Sequence, residues 1–239
     1  EVWPTSSACW RRSSGCEEMR MRIDVTQADT ISEIEHNEGF FPIAEEDWYF
    51  PVSGPKLAAC QLLIEKKHYT RSVPAGKSHY FYWRGVLVVF SIPANMHIGR
   101  YILKRPCVCW ELSRIWAKDG HRKNTLTEAI AKAIRGLRRA EPSIEVLVSF
   151  ADPNVGHEGF VYKAASWVYT GKSEDPRGYT KDGEFFPRRK FHSGRKCMTK
   201  AEIKALGYRE VVREGKHRFV KGLTRRASTE IRTIWQQPN

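Results

Sequence analysis

Between Cys107 and Gly171 the chain reads Cys107-Val-Cys-Trp-Glu-Leu-Ser-Arg-Ile-Trp116, then Thr125-Leu-Thr-Glu-Ala-Ile-Ala-Lys-Ala-Ile-Arg-Gly-Leu137, then Ile144-Glu-Val-Leu-Val-Ser-Phe150. The first stretch alternates like a strand from Cys107 to Ile115. Glu111 and Ser113 are expected on one face, Leu112 and Arg114 on the other. In the second, Ile130, Ala133, Ile134 and Leu137 recur at helical spacing. Thr125 and Glu128 have the spacing of a capping box, which would satisfy two amides at a helix start. The third is a short apolar strand. It runs into Asp152-Pro-Asn-Val-Gly156, which is turn chemistry. Gly156 to Tyr169 is expected to form a second helix.

Outward from this block, Pro55 to His68 reads as a helix with Leu57, Cys60 and Ile64 on one side. Tyr80 to Ile92 reads as a strand whose buried part is Gly85 to Ile92, ended by Pro93. Tyr101 to Lys104 is expected to be a further strand. Downstream, Thr199-Lys-Ala-Glu202 is another capping box. Tyr208 to Arg213 and His217 to Lys221 flank Glu214-Gly215, a hairpin signal. There is no internal repeat. The order predicts an α+β or mixed α/β fold, a central, mostly antiparallel sheet flanked by helices. Residues 1–20 are expected to be a loose extension rather than a targeting peptide, 21–170 the core, and 171–239 a basic appendage.

The chain has 239 residues, 41% of them hydrophobic, which excludes a disordered or fibrous protein. Its longest apolar run, Val86 to Phe90, is too short to span a bilayer. Lys and Arg number 40 against 27 Asp and Glu, a net charge of +13 that points to a polyanionic partner, nucleic acid first. The charge is uneven. Residues 23–55 hold eight carboxylates and no Lys or Arg, whereas 171–239 hold 18 basic and 8 acidic residues. Phe185-Phe-Pro-Arg-Arg-Lys-Phe-His192 interleaves aromatic and basic side chains, a pattern suited to stacked bases and phosphates. Arg188, Arg189, Lys190, Arg195 and Lys196 are the expected DNA contacts, a solvated charged face being the ordinary alternative.

Several chemistries fail on spacing. Ala75-Gly-Lys-Ser78 and Gly171-Lys-Ser173 lack the first glycine of a phosphate-binding loop, Arg71 and Ser166 standing there. Asp152-Pro153 lacks the second proline and the aromatic of an adenine methyltransferase motif, because Asn154 and Val155 follow. No G-x-S-x-G or H-E-x-x-H occurs. The six cysteines include no C-x-x-C, so they read as reduced thiols, with Cys107 and Cys109 as small buried apolar groups rather than zinc ligands.

The order of elements from Cys107 to Gly171 resembles the core of GNAT-type N-acyltransferases. In those enzymes a strand and loop hold the donor's phosphates at a helix N-terminus, and a later helix carries a proton-donating Tyr. Tyr162-Lys-Ala-Ala-Ser-Trp167 falls at the place of that helix. The loop departs from the pattern: Arg122-Lys-Asn-Thr-Leu126 has no glycine. Close backbone approach to a pyrophosphate is then hindered, which weakens the case for ordinary coenzyme A use.

A narrower resemblance is carried by Ser149-Phe-Ala-Asp-Pro153, Gly156-His157, Gly159-Phe-Val-Tyr-Lys-Ala164, Ser166-Trp167 and Tyr169-Thr-Gly171. Together with Arg114 and the basic tail, these look like the Mom family. The resemblance implies a GNAT-like transferase that converts the 6-amino group of adenine in phage DNA to a carbamoylmethyl (acetamido) derivative, shielding that DNA from host restriction. It implies a glycine-derived or acyl-CoA-type donor, a link to iron, double-stranded DNA as partner, and action in the host bacterial cytoplasm. Membrane association is not expected; a homodimer is left open. An N-acyltransferase of RNA or protein amines, or a non-catalytic DNA-binding module, are the alternatives.

On this reading Asp152 orients or deprotonates the adenine amine, or binds a metal, against its ordinary use as a turn cap. Tyr162 is the general acid. Ser149 is a hydrogen-bond donor at the splayed end of its strand. Arg114 grips a donor carboxylate or phosphate, helped by Arg122 and Lys123. His79, Asp152 and His157 are the candidate iron ligands, and Trp167 and Tyr169 the candidates for stacking a base, although each also suits a purely structural role.

Overall fold

The computed structural model describes residues 55–191 and 197–236. The 1–20 segment, Arg195 and Lys196 lie outside the described residues, as does the side chain of Arg189. The fold is mixed α/β, as expected. A six-stranded sheet has the order β1 (Ser78–Trp83), β2 (Val86–Ser91), β3 (Cys109–Ala117), β4 (Val146–Ala151), β9 (His217–Gly222), β5 (Val168–Lys172), and a three-stranded sheet the order β7 (Glu184–Pro187), β6 (Arg177–Lys181), β8 (Arg209–Val212).

The large sheet begins with β1 (Ser78–Trp83) and β2 (Val86–Ser91), where one strand from Tyr80 to Ile92 was expected. Arg84 and Gly85, both at positive φ (46° and 75°), form a two-residue hairpin turn between them. Every residue of β2 is buried, because helices cover both faces of the sheet. α1 (Pro55–Lys67) contacts β1 and β3, and α3 (Thr125–Ala140) packs Ile130, Ala133, Ile134 and Leu137 on the other side. The capping box at the start of α3 is not made. Asn124 is the N-cap, in the left-handed region, and Thr125 Oγ1 donates instead to Arg122 O.

The expected strand at 101–104 is a helix, α2 (Ile98–Leu103). Its two apolar pairs suit either periodicity, and tertiary contact decides. A Cβ at Gly99 would stand 2.8 Å from Cys107 Sγ and from Cys109 Cβ, so this helix lies directly on β3. α6 (Arg225–Trp235) packs beside it, over Val146, Val148 and Val220.

β3 (Cys109–Ala117) departs from the expected alternation. Val89 pairs with Arg114 but Phe90 pairs with Leu112, so Ser113 is an extra residue, a β-bulge. Trp110 and Leu112 face the α3 core, and after the bulge so do Ile115 and Ala117. Arg114 therefore shares its face with Glu111, not with Leu112.

β4 (Val146–Ala151) is parallel to β3, but only Cys109–Leu112 pair with Val146–Ser149. Beyond Leu112 the two strands part and leave a fork. The helix expected from Gly156 to Tyr169 is much shorter: α4 (Phe160–Ala164), then β5 (Val168–Lys172). Trp167 N–H bonds to Tyr162 O and Ser166 N–H to Lys163 O, with Ser166 at φ 60°. This is a Schellman cap with serine at the left-handed position usually taken by glycine.

The expected hairpin across Glu214-Gly215 does not form. β8 (Arg209–Val212) joins the small sheet with β6 (Arg177–Lys181) and β7 (Glu184–Pro187), whereas β9 (His217–Gly222) inserts between β4 and β5. A division at residue 170 thus cuts one sheet in two. Among the described residues, the small sheet and α5 (Lys200–Ala205), with its expected Thr199–Glu202 capping box, lie outside the large sheet.

Candidate active site

The fork between β3 and β4 opens into a cavity of about 280 Å3. Ser113 and Ile115 come from β3, Leu126 from the first turn of α3, Phe150 and Ala151 from β4, and Gly156–Tyr162 from the turn entering α4. His68 and Tyr69, just past α1, close it. α4 is placed by Gly159, whose φ of 77° and lack of a Cβ let the Phe219 ring of β9 lie against it.

Tyr162 lines this cavity and is almost fully buried, stacked at 5.2 Å on Phe219. Its hydroxyl lies 2.8 Å from Ser149 Oγ, which in turn lies 2.8 Å from Leu112 O. A carbonyl can only accept, so Ser149 donates to Leu112 and Tyr162 donates to Ser149. Burial pushes the Tyr162 hydroxyl up to about 12. The phenol is therefore protonated at neutral pH and arranged to give a proton rather than take one.

Arg114 is engaged by protein at all three guanidinium nitrogens. Nε donates to Ser72 O (3.0 Å), Nη2 to Ser72 Oγ (3.2 Å) and Nη1 to Ser113 O (2.7 Å). It ties the segment after α1, and with it His68 and Tyr69, to the bulge of β3. These bonds use three of its five N–H donors.

Asp152 caps the 3-10 turn Pro153–Val155. Its Oδ1 accepts from the amide and side chain of Asn154 (3.0 and 2.9 Å), and its Oδ2 pairs with Lys216 Nζ (3.1 Å). Burial alone would raise its carboxyl, but the bonds from Asn154 and the Lys216 charge hold it below the usual range. Glu111 has the opposite balance. Burial raises its carboxyl despite the charges of Arg114 and Lys216, which makes it the better proton acceptor of the two.

His68 is buried, and its Nδ1 accepts from the Thr70 amide (3.1 Å), which leaves the ring proton on Nε2. Burial and the charges of Arg114, His157 and Lys216 lower it to about 4, so it is neutral. The Tyr69 ring meets His157 edge-on at 5.0 Å. His68, Tyr69, Glu111 and Lys216 are absent from the sequence-based candidates. Nothing in their local pattern signals the site, because the end of α1, the strand β3 and the approach to β9 bring them together from distant parts of the chain.

Other expectations separate. His79 is buried on β1, its Nε2 2.9 Å from Glu141 Oε1 and its ring stacked on Trp110, and it lines none of the cavity. It does not converge with Asp152 and His157. No cluster of three His, Cys, Asp or Glu side chains able to hold a metal occurs among the described residues. The described residues thus do not fit iron. Trp167 is core, and Tyr169, on β5, packs on Phe219 and His217 outside the cavity. Arg122 is exposed before α3 and pairs with Glu128 (3.3 Å); Lys123 is exposed beside it. Arg188 is exposed at the end of β7, and Lys190 Nζ lies 4.0 Å from the Phe186 ring centre.

Fold and site together define a class: a mixed α/β protein whose central sheet forks at one parallel strand pair, with a buried Tyr–Ser hydrogen-bonded pair and a neutral His at the fork. Residues 52–238 match the model of the Mom protein family, and the chain belongs to that family. Over 125 residues it is 30% identical to the protein described as methylcarbamoylase mom of Escherichia phage Mu, which covers 52% of each chain. The chain thus spans about half the length of that relative. A solved acetyltransferase of Bacillus subtilis in complex with CoA aligns over 74% of this chain and 98% of its own, at 10% identity and a TM-score of 0.38. Among the described residues, no helix is long and apolar enough to cross a membrane.

Proposed function

We propose that the chain transfers a carbamoylmethyl group to the exocyclic amine of adenine in phage DNA, in the host cytoplasm, and so protects that DNA from restriction. The observation that carries this reading is the family match across 52–238, which includes every element around the cavity. The fork supports it chemically. Adenine N6 is a poor nucleophile because its lone pair is delocalised into the ring, so the site must hold it in place and remove a proton as the bond forms. Glu111 does not line the cavity, but its charge acts on both Tyr69 and Tyr162, and it is our choice of proton acceptor. Tyr162 supplies a proton to the leaving group, and Ser149 holds the phenol. Arg114 positions the wall formed by His68 and Tyr69, and Asp152 sets the turn into α4. Arg122 and Lys123, exposed before α3, suit an anionic part of a glycine-derived or acyl-CoA-type donor.

The DNA backbone would be held by the small sheet. Lys190 and Arg213 lie over Phe186 and Phe185 (4.0 and 4.3 Å), and Arg188 is exposed two residues before Lys190. Mass spectrometry of nucleosides from DNA made in cells with and without the protein tests the whole reading. A carbamoylmethyl-deoxyadenosine found only with the protein is the expected result; unmodified nucleosides would overturn it. Products on RNA or on lysine amines would favour the acyltransferase alternative.

A further inference from the structure

Two large aromatic rings that border the cavity are left in solvent. Phe160 is 72% exposed and Tyr69 44% exposed, and both line the same cavity. The exposure of Phe160 is built in. Tyr162 is buried and Val161 is packed on the core, so the first residue of α4 turns outward at helical spacing. Gly159, against Phe219, fixes where α4 begins. A polar residue would serve an ordinary solvent face at that position, and an apolar ring there lowers solubility. Tyr69 is held from behind by the edge-on His157 ring, and its segment by Arg114. Lys163 Nζ stands 5.5 Å from the Phe160 ring centre, placing a cation beside the exposed face.

The cavity itself is small. At about 280 Å3 it lies just under the roughly 300–1,000 Å3 of ordinary small-molecule pockets, room for one planar base and little more. An amine inside a duplex cannot reach Tyr162 at the floor of a cavity unless its base leaves the stack.

Resting on the function proposed above, we infer that Tyr69 and Phe160 are the base-binding residues, holding an extruded adenine at the cavity mouth by stacking while Lys163 meets a flanking phosphate. The extruded base exchanges its neighbours in the duplex for two protein rings, and its 6-amino edge enters toward Tyr162. Trp167 and Tyr169 are not placed for this part: Trp167 is buried in the core, and neither ring lines the cavity.

The test compares Phe160→Ala, Phe160→Leu, Phe160→Trp and Tyr69→Ala in the full chain, with three readouts: nucleoside mass spectrometry, duplex binding, and the fluorescence of 2-aminopurine at the target adenine. The wild type is expected to change the probe's emission on binding, because its stacking partners change from bases to the two protein rings. Phe160→Ala and Tyr69→Ala should each lose roughly ten- to a hundredfold in product, and the probe's emission should differ from that of the wild-type complex. Duplex binding and the unfolding midpoint should stay near wild type. Phe160→Leu should fail like Phe160→Ala, and Phe160→Trp should restore product, because stacking rather than apolar bulk is required. If Phe160→Ala and Tyr69→Ala modify DNA as fast as wild type, or if Phe160→Leu equals wild type, the inference is overturned and the proposed function stands. If wild type makes no modified deoxyadenosine, the proposed function itself fails.

Discussion

Tyr162 and Ser149 are thirteen residues apart, yet their hydroxyls meet at 2.8 Å because β4 and α4 converge on the fork. Tyr162→Phe removes the proton and little else, since Ser149 still donates to Leu112 O. We expect the variant to bind duplex DNA, to unfold at a cost of about 1 kcal/mol measured in urea, and to yield no modified nucleoside. His68 carries a second prediction. Its ring is pulled down to about 4 from an ordinary 6.5, so the unfolded chain takes up the proton first as pH falls. Its stabilising contribution is complete above pH 6.5 and is lost as pH falls toward about 4. Protonation of Nδ1 would also break its bond from the Thr70 amide. Denaturation midpoints measured across that window should slope for wild type and flatten for His68→Gln. An equal slope in both would rule His68 out. Neither residue's chemistry was legible to the same degree. Tyr162 lay in a spaced motif of glycines and aromatics, whereas His68 stood at the end of an unremarkable helix.

Single positions also decide whole elements. The sequence expectation is a helix from Gly156 to Tyr169, and α4 is far shorter. It stops after five residues, with Ser166 in a conformation that its identity does not announce. Gly159→Ala should be among the most damaging small changes. Its Cβ would land inside the Phe219 ring at a φ that alanine resists. A loss of about 2–4 kcal/mol in chemical denaturation is expected, with product falling further than stability alone explains, because α4 carries Tyr162. β3 shows the same dependence. Alternation put Arg114 on the face of Leu112, and one extra residue at Ser113 moved it beside Glu111. A bulge adds no signature of its own to a run of six ordinary residues, so the turn of the arginine could be seen only once β2 was paired with β3.

For the whole molecule the insertion of β9 matters most. An appendage could be cut away at Thr170, leaving a core that no longer grips DNA. The observed topology predicts otherwise. Truncation there removes the strand between β4 and β5 together with α6, and should give an unfolded chain by circular dichroism. The basic excess divides in the same way. Arg218 is buried, bonding to Thr170 Oγ1 and O, and Lys221 donates to Ala165 O, so these two cations serve the fold. Arg188, Lys190 and Arg213 on the small sheet remain for phosphates. Each replaced by Ala should reduce the slope of log affinity against log salt by about 0.9 if it contacts a phosphate, and binding titrations at several salt concentrations would measure it. Unchanged slopes in all three would move the DNA surface elsewhere.

The sequence by itself determined the mixed α/β class, the buried β2 and β4, the amphipathic α3, the Asp152 turn and the motif that places the chain in its family. These depend on periodicity and turn chemistry within a few residues, and that information is local. Only the tertiary structure decided that Tyr101 belongs to a helix, that Arg114 clamps Ser72, that β9 completes the large sheet, and that His68 and Tyr69 close the cavity. Each follows from a choice among long-range partners. The chain forms such contacts through packing and backbone pairing, which many sequences satisfy equally, so no local pattern records them.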